Sequence, residues 1–299
     1  MHNQKSAKLN QSAALLSIFS YICLSILKLT IGYIAHSEAL TADGWNNSTD
    51  ILASVAVLIG LRLAVKPPDS DHPYGHRRAE TISSLVASFI MFVVGLEVLF
   101  SAGQKIVLGP TDHPDPIAIW VCLFGALVMG LVYQINVRIA KKTQSQAVMA
   151  AAKDNLSDAL VSIGAAIGII AAQFQMAWLD SITALIVGLI ILKTAYDIFQ
   201  ESSHNLSDGI NTEVLDQIYH QICQIEGVSQ VADIKGRVHG KDLLLDIDIH
   251  VHPELTVYES HLITEEMEDL LKRNFQISHI QIHVEPQQLT CGPPFWSNE

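Results

Sequence analysis

The sequence predicts an α-helical membrane protein with six transmembrane helices, followed by a C-terminal cytoplasmic α/β domain. Three observations lead to this prediction: six long apolar stretches, a low share of charged residues, and an acidic segment confined to the end of the chain. Of the 299 residues, 49% are hydrophobic and 16% are charged. A soluble domain usually carries about 25% charged residues, so this composition is typical of a membrane protein.

The six apolar stretches are each long enough to cross the hydrocarbon core of a bilayer, which needs ~20 helical residues. Gly, Ser and Asn interrupt several of them, which is typical of helices packed tightly inside a bundle. The stretches are Ala13–Ala35, Ala39–Val65, Thr81–Ala102, Pro116–Ala140, Ala147–Gln173 and Trp178–Phe199.

The charge of the chain divides it into two parts. Residues 1–207 hold 13 Lys/Arg and 14 Asp/Glu, and residues 208–299 hold 5 and 16, so the net charges are −1 and −11. We therefore predict a transmembrane domain over 1–207, a soluble domain over 208–287 and an irregular tail over 288–299. The acidic domain excludes nucleic acid as a partner, because phosphates need basic residues, but it can attract cations.

Basic residues outside the spans predict the orientation. An even number of spans places both termini on the same side, and the loops on that side should carry the Lys and Arg residues. The other side offers only Lys105. We predict that both termini are cytoplasmic, and that the chain lies in the plasma (inner) membrane with no cleaved signal peptide. The basic residues on the predicted cytoplasmic side are Lys5, Lys8, Lys66, Arg77, Arg78, Arg138, Lys141, Lys142 and Lys153.

The C-terminal domain reads as α-β-β-α-β. Apolar residues recur at a helical period in the first and fourth segments and alternate in the strands. The order predicts a small sheet with two helices on one face, similar to metallochaperone folds. The segments are Thr212–Ile225, Val231–Val238, Leu243–Val251, Tyr258–Asn274 and Ile277–Val284, with a turn at Gly240-Lys241 and a helix start at Thr212.

Two polar pairs inside the second and fifth spans predict the functional site. Asn46 with Asp50, and Asp154 with Asp158, are each four residues apart, so both members lie on one helix face. With opposite span directions, Asp50 and Asp158 each lie about eleven residues, or ~16 Å, along their spans. Both pairs therefore reach the middle of a ~30 Å core.

Carboxylates at this depth almost always face a bundle interior or a wet cavity. Four oxygen-bearing side chains from two helices can enclose a divalent cation, and oxygen ligands suit hard ions such as Mn²⁺, although Mg²⁺ and Ca²⁺ share that preference. Without a cation, three crowded carboxylates need protons, so metal entry should displace protons. The alternative is interhelical hydrogen bonding that only holds the bundle together.

A short loop between the second and third spans carries a distinctive motif. It reads Asp69-x-x-His72-Pro-Tyr-Gly-His76-x-x-x-Glu80. Together with the paired residues in the spans and the histidine-bearing C-terminal domain, this motif resembles the cation diffusion facilitator family. The resemblance covers nearly the whole chain, to Glu285. It implies a homodimeric metal/proton antiporter that exports divalent metal by alternating access, with no prosthetic group.

The identity of the paired residues indicates the cargo. Zinc-transporting members of the family place a histidine at the first position of the fifth-span pair. This chain has Asp154 there and Asn46 at the corresponding position of the second span. The combination resembles the manganese-exporting branch, so Mn²⁺ is the expected substrate, with Zn²⁺ and Fe²⁺ as alternatives.

The resemblance implies three further features. Asp69, His72 and His76 match a loop that binds a second metal in some members; the alternative is a loop held by hydrogen bonds. Arg78 and Asp208 match a charge interlock between the third span and the start of the C-terminal domain; the alternative is two charges facing water. Four residues of the C-terminal domain match positions at which members bind regulatory metal between protomers, namely Asp248, His261, His283 and Glu285; the alternative is a surface of ordinary acidic and histidine residues.

Other readings stay open. A passive divalent cation channel would need a continuous polar stripe, whereas the polar residues here cluster at one depth. A membrane metalloenzyme is disfavoured because the chain has no HExxH, nucleophile elbow or phosphate loop. Lys28, inside the first span, is expected to extend its ammonium group to an interface. His239 and His252 are expected to be exposed and without a role.

Overall fold

Long helices make up the first part of the chain in a computed structural model that describes residues 2–35, 38–108, 116–174, 177–240, 242–275 and 277–287. The chain divides into two compact units, Met1–Ser203 and His204–Glu299. The predicted tail over 288–299 and Lys241 of the predicted turn lie outside the described residues. Gly240 of that turn has a φ of 63°, which favours glycine.

The six predicted transmembrane helices are confirmed, and all are long and apolar enough to cross a membrane. The first begins well before its predicted apolar stretch, since helix formation continues into the polar N-terminal residues. The third and sixth are also longer than the apolar pattern suggests. The helices are α1 His2–Ile34, α2 Glu38–Ala64, α3 Arg78–Leu108, α4 Ile117–Thr143, α5 Gln146–Gln173 and α6 Ala177–Leu206.

Small residues bring the helices of the bundle close together. A Cβ added to Gly32 of α1 would lie 2.6 Å from the Thr41 hydroxyl, and one added to Gly60 of α2 would lie 2.3 Å from Ser83. Glycine therefore allows α1 to approach α2, and α2 to approach α3, as in other membrane bundles. Large apolar side chains are exposed around the bundle, Phe92 and Trp120 among them, which suits contact with lipid.

The second unit is a three-stranded sheet with two helices, in the predicted α-β-β-α-β order. The central strand, β2, pairs antiparallel with β1 and parallel with β3. The fold class is thus confirmed. The first helix of the unit begins at Thr212, and the residue before it, Asn211, caps the helix: its side chain accepts a hydrogen bond from the Glu213 N–H at 2.9 Å. The elements are α7 Thr212–Ile222, β1 Val228–His239, β2 Asp242–Val251, α8 Val257–Asn274 and β3 Ile277–Pro286.

The side chains of β2 alternate between the two faces of the sheet. Leu245, Ile247 and Ile249 are buried in a core that includes Ile218 of α7 and Met267 of α8. Side chains at even positions of β2 point to the opposite face. The helices therefore cover one face of the sheet and leave the other for polar residues.

The sequence predicts that His239 and His252 are exposed, and this is confirmed for only one of them. His252 is exposed after the end of β2. The prediction is wrong for His239, which is only 9% exposed. His239 is the last residue of β1 and pairs with Asp242 at the start of β2, so it is buried beside the turn of the hairpin.

Candidate metal centre

Three carboxylates from two helices meet inside the bundle. One oxygen from each of Asp50, Asp154 and Asp158 lies within 4.8 Å of the other two. The three residues are only 1%, 7% and 3% exposed. The four-residue spacing on α5 places Asp154 and Asp158 one turn apart on the face that meets α2. The geometry therefore brings together the three carboxylates that the sequence predicts.

Asn46, the fourth residue, lies on the same face of α2 as Asp50. Its amide nitrogen donates to Asp50 Oδ2 and to Asp158 Oδ1, each at 3.3 Å. The amide therefore bridges the two helices at the level of the carboxylates. All four residues form one cluster, which contains oxygen and amide groups and no imidazole.

A fifth polar group, which the sequence analysis did not identify, reaches the cluster from α1. The Tyr21 hydroxyl is hydrogen bonded to Asp158 and donates to Asp154 Oδ2 at 3.2 Å. Asn155 Nδ2 in turn donates to the Tyr21 oxygen at 2.9 Å. Tyr21 is fully buried. A phenol thus joins the two α5 carboxylates from a third helix.

Behind Tyr21, an amide network connects α1, α4 and α5. Asn155 Oδ1 accepts from Asn136 Nδ2 at 2.9 Å and from the Ser17 hydroxyl at 3.0 Å. Asn136 also donates to the Ser17 hydroxyl at 2.8 Å. Buried polar groups in such a network fix one another's orientation, so the position of the Tyr21 ring is set by several helices.

The interface position predicted for Lys28 is wrong. Its side chain is fully buried, and its ammonium lies 2.7 Å from Asp43 Oδ2 of α2. It also donates to the Ser162 hydroxyl of α5 at 2.9 Å. Gly125 of α4 makes room for the chain, because a Cβ there would lie 2.9 Å from Lys28 Cε. An internal partner is available, so the ammonium has no need to reach the interface.

The sequence contains a pattern that indicates an internal position for the polar residues of α1. Ser17, Tyr21, Ser25 and Lys28 recur at spacings of three or four, so they form a polar stripe along one face of an otherwise apolar helix. That pattern indicates that α1 faces the bundle interior with this side. It does not indicate which residues of α2, α4 or α5 they contact.

The predicted loop residues form a second cluster, in which Asp69 and His72 are exposed and His76 is mostly buried. Asp69, His72 and His76 each offer a ligand atom within 4.8 Å of the others. Asp69 Oδ1 lies 3.2 Å from His72 Nδ1, and Asp69 Oδ2 lies 3.3 Å from His76 Nε2. Slight desolvation raises the pKa of Asp69, but hydrogen bonds from the His72 backbone N–H and imidazole outweigh it, so the pKa is lowered. The carboxylate is therefore well suited to stay ionised.

The predicted residues of the second unit lie in two places. Asp248 is paired with His283 across β2 and β3, and His250 with Glu285. Glu285 lies 3.3 Å from His283 Nε2 and 3.4 Å from His250 Nε2. His261 lies on α8, where it contacts Glu265 at 3.5 Å. The strand residues share the polar face of the sheet, and His250 joins them in place of His261.

The two residues of the predicted charge interlock lie at helix ends. Arg78 is the first residue of α3, and Asp208 follows α6 with a φ of 62°. They belong to different compact units. Their pairing stays a prediction.

The bundle with a buried carboxylate cluster, followed by a small α/β domain, defines a class of membrane cation transporter. The model of the cation efflux transmembrane domain matches residues 14–207, and that of the cation efflux protein cytoplasmic domain matches residues 210–287. The chain therefore belongs to the cation efflux family, also called cation diffusion facilitators. It is a multi-pass membrane protein that moves divalent metal cations, and its second unit is cytoplasmic.

Several relatives are similar over most of their length. Manganese efflux system protein MneS of Bacillus subtilis is 54% identical over 286 residues, covering 96% of this chain and 99% of that protein. Manganese efflux system protein MneP of the same organism is 30% identical, covering 93% and 97%. Magnetosome protein MamM of Magnetospirillum gryphiswaldense is 32% identical, covering 81% and 77%.

Proposed function

We propose that this protein exports Mn²⁺ from the cytoplasm in exchange for protons. The observation that carries the proposal is the buried cluster of Asp50, Asp154 and Asp158 with Asn46 at its edge. An all-oxygen ligand set suits Mn²⁺ better than Zn²⁺, which favours imidazole and thiolate. The 54% identity to a protein named for manganese efflux points to the same substrate.

Asn46 has a different role in the metal-free and metal-bound states of this proposal. In the structure its amide nitrogen faces the carboxylates and donates to Asp50 and Asp158. A cation requires an oxygen instead. Rotation of the amide plane by about half a turn presents Oδ1, since the nitrogen and oxygen of an amide occupy nearly equivalent positions. Three carboxylates, one carbonyl oxygen and water then complete an octahedral shell.

Protons are the natural occupants of the cluster when the metal has left. Three carboxylates this close and this buried cannot all be anionic without a cation. The Tyr21 hydroxyl supplies one hydrogen but contacts both Asp154 and Asp158, so a proton on one carboxyl satisfies the second contact. Metal binding releases protons from its ligands, which couples the two fluxes in opposite directions.

The transport cycle follows from the position of the cluster. Its residues lie near the middle of α2 and α5, so the site can be opened to one side of the membrane at a time.

We assign the protein to the plasma membrane as a homodimer with both termini cytoplasmic. The basic residues beside α1, α2 and α4 support this orientation, and the match to a dimer-type cytoplasmic domain supports the assembly.

The loop cluster is a second metal site in this proposal. Asp69, His72 and His76 provide one oxygen and two nitrogen ligands, a set that suits Zn²⁺ as well as Mn²⁺. Asp248, His261, His283 and Glu285 are proposed as a third, regulatory metal site between protomers. Neither site is needed for metal to cross the membrane.

The proposal is tested by metal flux into proteoliposomes that contain the full-length protein. Mn²⁺ uptake is followed with and without an imposed pH gradient, with Asp50→Asn as a matched inactive control. We expect saturable Mn²⁺ flux that rises with the gradient. Saturable flux that does not depend on the pH gradient would contradict the proton exchange. Unsaturable flux that does not depend on the gradient would indicate a passive channel.

A binding measurement separates the loop site from the transport site. Titration of the purified protein with Zn²⁺ should show a high-affinity phase that is lost in His72→Ala/His76→Ala and retained in Asp50→Asn. His220→Ala, an exposed histidine on α7, serves as the control. Equal Zn²⁺ binding by the double variant and the wild type would leave the loop as a hydrogen-bonded turn without a metal.

A further inference from the structure

Tyr21 divides the oxygens of the α5 carboxylates into two groups. Its hydroxyl contacts Oδ2 of Asp158 and Oδ2 of Asp154. Asp158 Oδ1 instead faces Asn46 Nδ2 at 3.3 Å, on the side where Asp50 lies. One oxygen of Asp158 is thus held by the phenol, and the other is directed into the cluster.

The position of the phenol is itself fixed. Asn155 Nδ2 donates to the Tyr21 oxygen at 2.9 Å, and Asn155 is held by Asn136 and Ser17. Because the oxygen accepts from Asn155, its own hydrogen is directed to the carboxylates. Tyr21, Ser17, Asn136 and Asn155 are all buried, so water does not compete for these bonds.

We propose that Tyr21 is a positioning and specificity-determining residue of the transport site. This inference rests on the proposed function. With metal bound and both carboxylates ionised, the single hydroxyl hydrogen is donated to one of them. Asp158 Oδ2 is the nearer acceptor, so the phenol makes Asp158 a monodentate ligand. Monodentate carboxylates give few, well-separated oxygens, which suits an octahedral ion. Bidentate carboxylates raise the number of ligands towards the six to eight oxygens that Ca²⁺ accepts.

Removal of the hydroxyl should change selectivity as well as affinity. In Tyr21→Phe the ring remains, but the hydroxyl hydrogen that holds Oδ2 of Asp158 is lost, so this carboxylate can bind a cation through two oxygens. We expect the Kd for Mn²⁺ to rise about tenfold, which corresponds to about 1.4 kcal/mol, while binding of Ca²⁺ weakens less or strengthens. The Mn²⁺ to Ca²⁺ affinity ratio therefore falls.

The experiment is a competition of Mn²⁺ and Ca²⁺ for the purified full-length protein, with Mn²⁺ flux measured in parallel. Tyr33→Phe, on the same helix but 81% exposed, is the matched control and should behave as wild type. Asn155→Ala keeps the hydroxyl but frees its orientation, so it should lower the ratio in the same direction by a smaller factor. If Tyr21→Phe does not fold, the ratio in Asn155→Ala decides the question.

The outcomes separate this inference from the proposed function. An unchanged Mn²⁺ to Ca²⁺ ratio in the folded variant, whether or not both affinities fall, overturns the role of Tyr21 and leaves it a packing residue. A wild-type protein that neither binds nor transports Mn²⁺ overturns the proposed function itself. A lower ratio together with wild-type Mn²⁺ flux in Tyr33→Phe supports the assignment.

Discussion

The two clusters of ligand groups in the described part of this chain have the same size but different surroundings. Asp50, Asp154 and Asp158 are buried between α2 and α5, and their ligand groups are all carboxylates. In the loop cluster, the side chains of Asp69 and His72 are 40% and 57% exposed, that of His76 is 13% exposed, and two of the three groups are imidazoles. Both sets place three ligand atoms within 4.8 Å of one another.

This difference determines what each cluster can do. Carboxylates buried at membrane depth are unfavourable unless a cation or protons neutralise them, so in the proposed cycle one occupant of the buried cluster replaces another. The exposed groups Asp69 and His72 can be solvated by water when no metal is present. This contrast supports the proposal that the buried cluster is the transport site and that the loop cluster binds metal without driving its movement.

The largest expected effect comes from removing one buried carboxylate. Asp158→Asn keeps the size of the side chain but removes a charge and a ligand oxygen, and should lower Mn²⁺ flux in proteoliposomes by about 100-fold. Loss of groups that only support metal ligands already costs 10- to 100-fold. The matched variant His72→Ala/His76→Ala should keep flux within about twofold of wild type. Equal losses of Mn²⁺ flux in both variants would contradict the claim that only the buried cluster is needed for transport.

A second prediction compares a fully buried ion pair with one whose lysine is exposed. Lys28→Met leaves Asp43 as an unpaired buried charge, and such a loss typically costs about 3–5 kcal/mol of unfolding free energy. Lys235, whose side chain is 66% exposed, pairs at 2.6 Å with Asp233, whose side chain is 16% exposed, and the hydrogen bond that Lys235 donates to Asp233 raises the pKa of Lys235. Because solvent screens the Lys235 ammonium, Lys235→Met should lower the unfolding temperature in detergent much less than Lys28→Met does.

A double variant controls for the loss of the lysine side chain itself. Lys28→Met/Asp43→Leu removes both charges and should recover most of the stability lost in Lys28→Met. If the double variant is no more stable than the single one, the ion pair is not the reason for the loss, and the packing of Lys28 against Gly125 is the better explanation.

The smallest expected effect concerns the start of α8, where the stabilising contacts are local and exposed. Thr256 caps the helix, and its backbone N–H and hydroxyl each donate to Glu259 Oε2 at 2.8 Å. Thr256→Ala should lower the stability of this helix start by about 1 kcal/mol. Hydrogen exchange of the α8 amides in the full-length protein measures the change, and Thr264→Ala, inside α8, is the control.

The same cap has a defined pH dependence. Hydrogen bonds from the Thr256 backbone N–H and side chain lower the pKa of Glu259 in the folded protein. The contribution of the ionised Glu259 to stability is therefore complete above the usual Glu pKa of about 4.3. This contribution is lost as the pH falls through the lowered pKa of Glu259 in the folded protein. Protection of the first turn of α8 that is insensitive to pH between 3 and 5 would contradict this assignment.

Features that depend on local sequence could be predicted, and those that depend on distant partners could not. Hydropathy located the six spans, and the four-residue spacing placed Asp154 and Asp158 on one face. The contact between Tyr21 and Asp158 joins residues 137 positions apart, and no periodic pattern connects them. Lys28 was placed at an interface because its partner, Asp43, belongs to a different helix.

The helix ends show the same limit on a smaller scale. The apolar pattern sets the start of the first span at Ala13, but α1 begins at His2, because polar residues also form helix where no bilayer requires an apolar surface. Thr212 is the residue that begins α7, yet the cap is Asn211, one position earlier. Capping depends on the backbone angles of a single residue, which composition does not reveal.

The account depends most on the all-oxygen character of the buried cluster, and one substitution tests it directly. Asp154→His introduces the imidazole that zinc favours, and Mn²⁺ and Zn²⁺ flux of this variant and of the wild type are measured in proteoliposomes under the same pH gradient. We predict that the wild type transports Mn²⁺ in preference to Zn²⁺ and that the variant shifts the ratio towards Zn²⁺ by about tenfold or more. A wild type that prefers Zn²⁺, or a variant with an unchanged ratio, would contradict the claim that these oxygens select the metal.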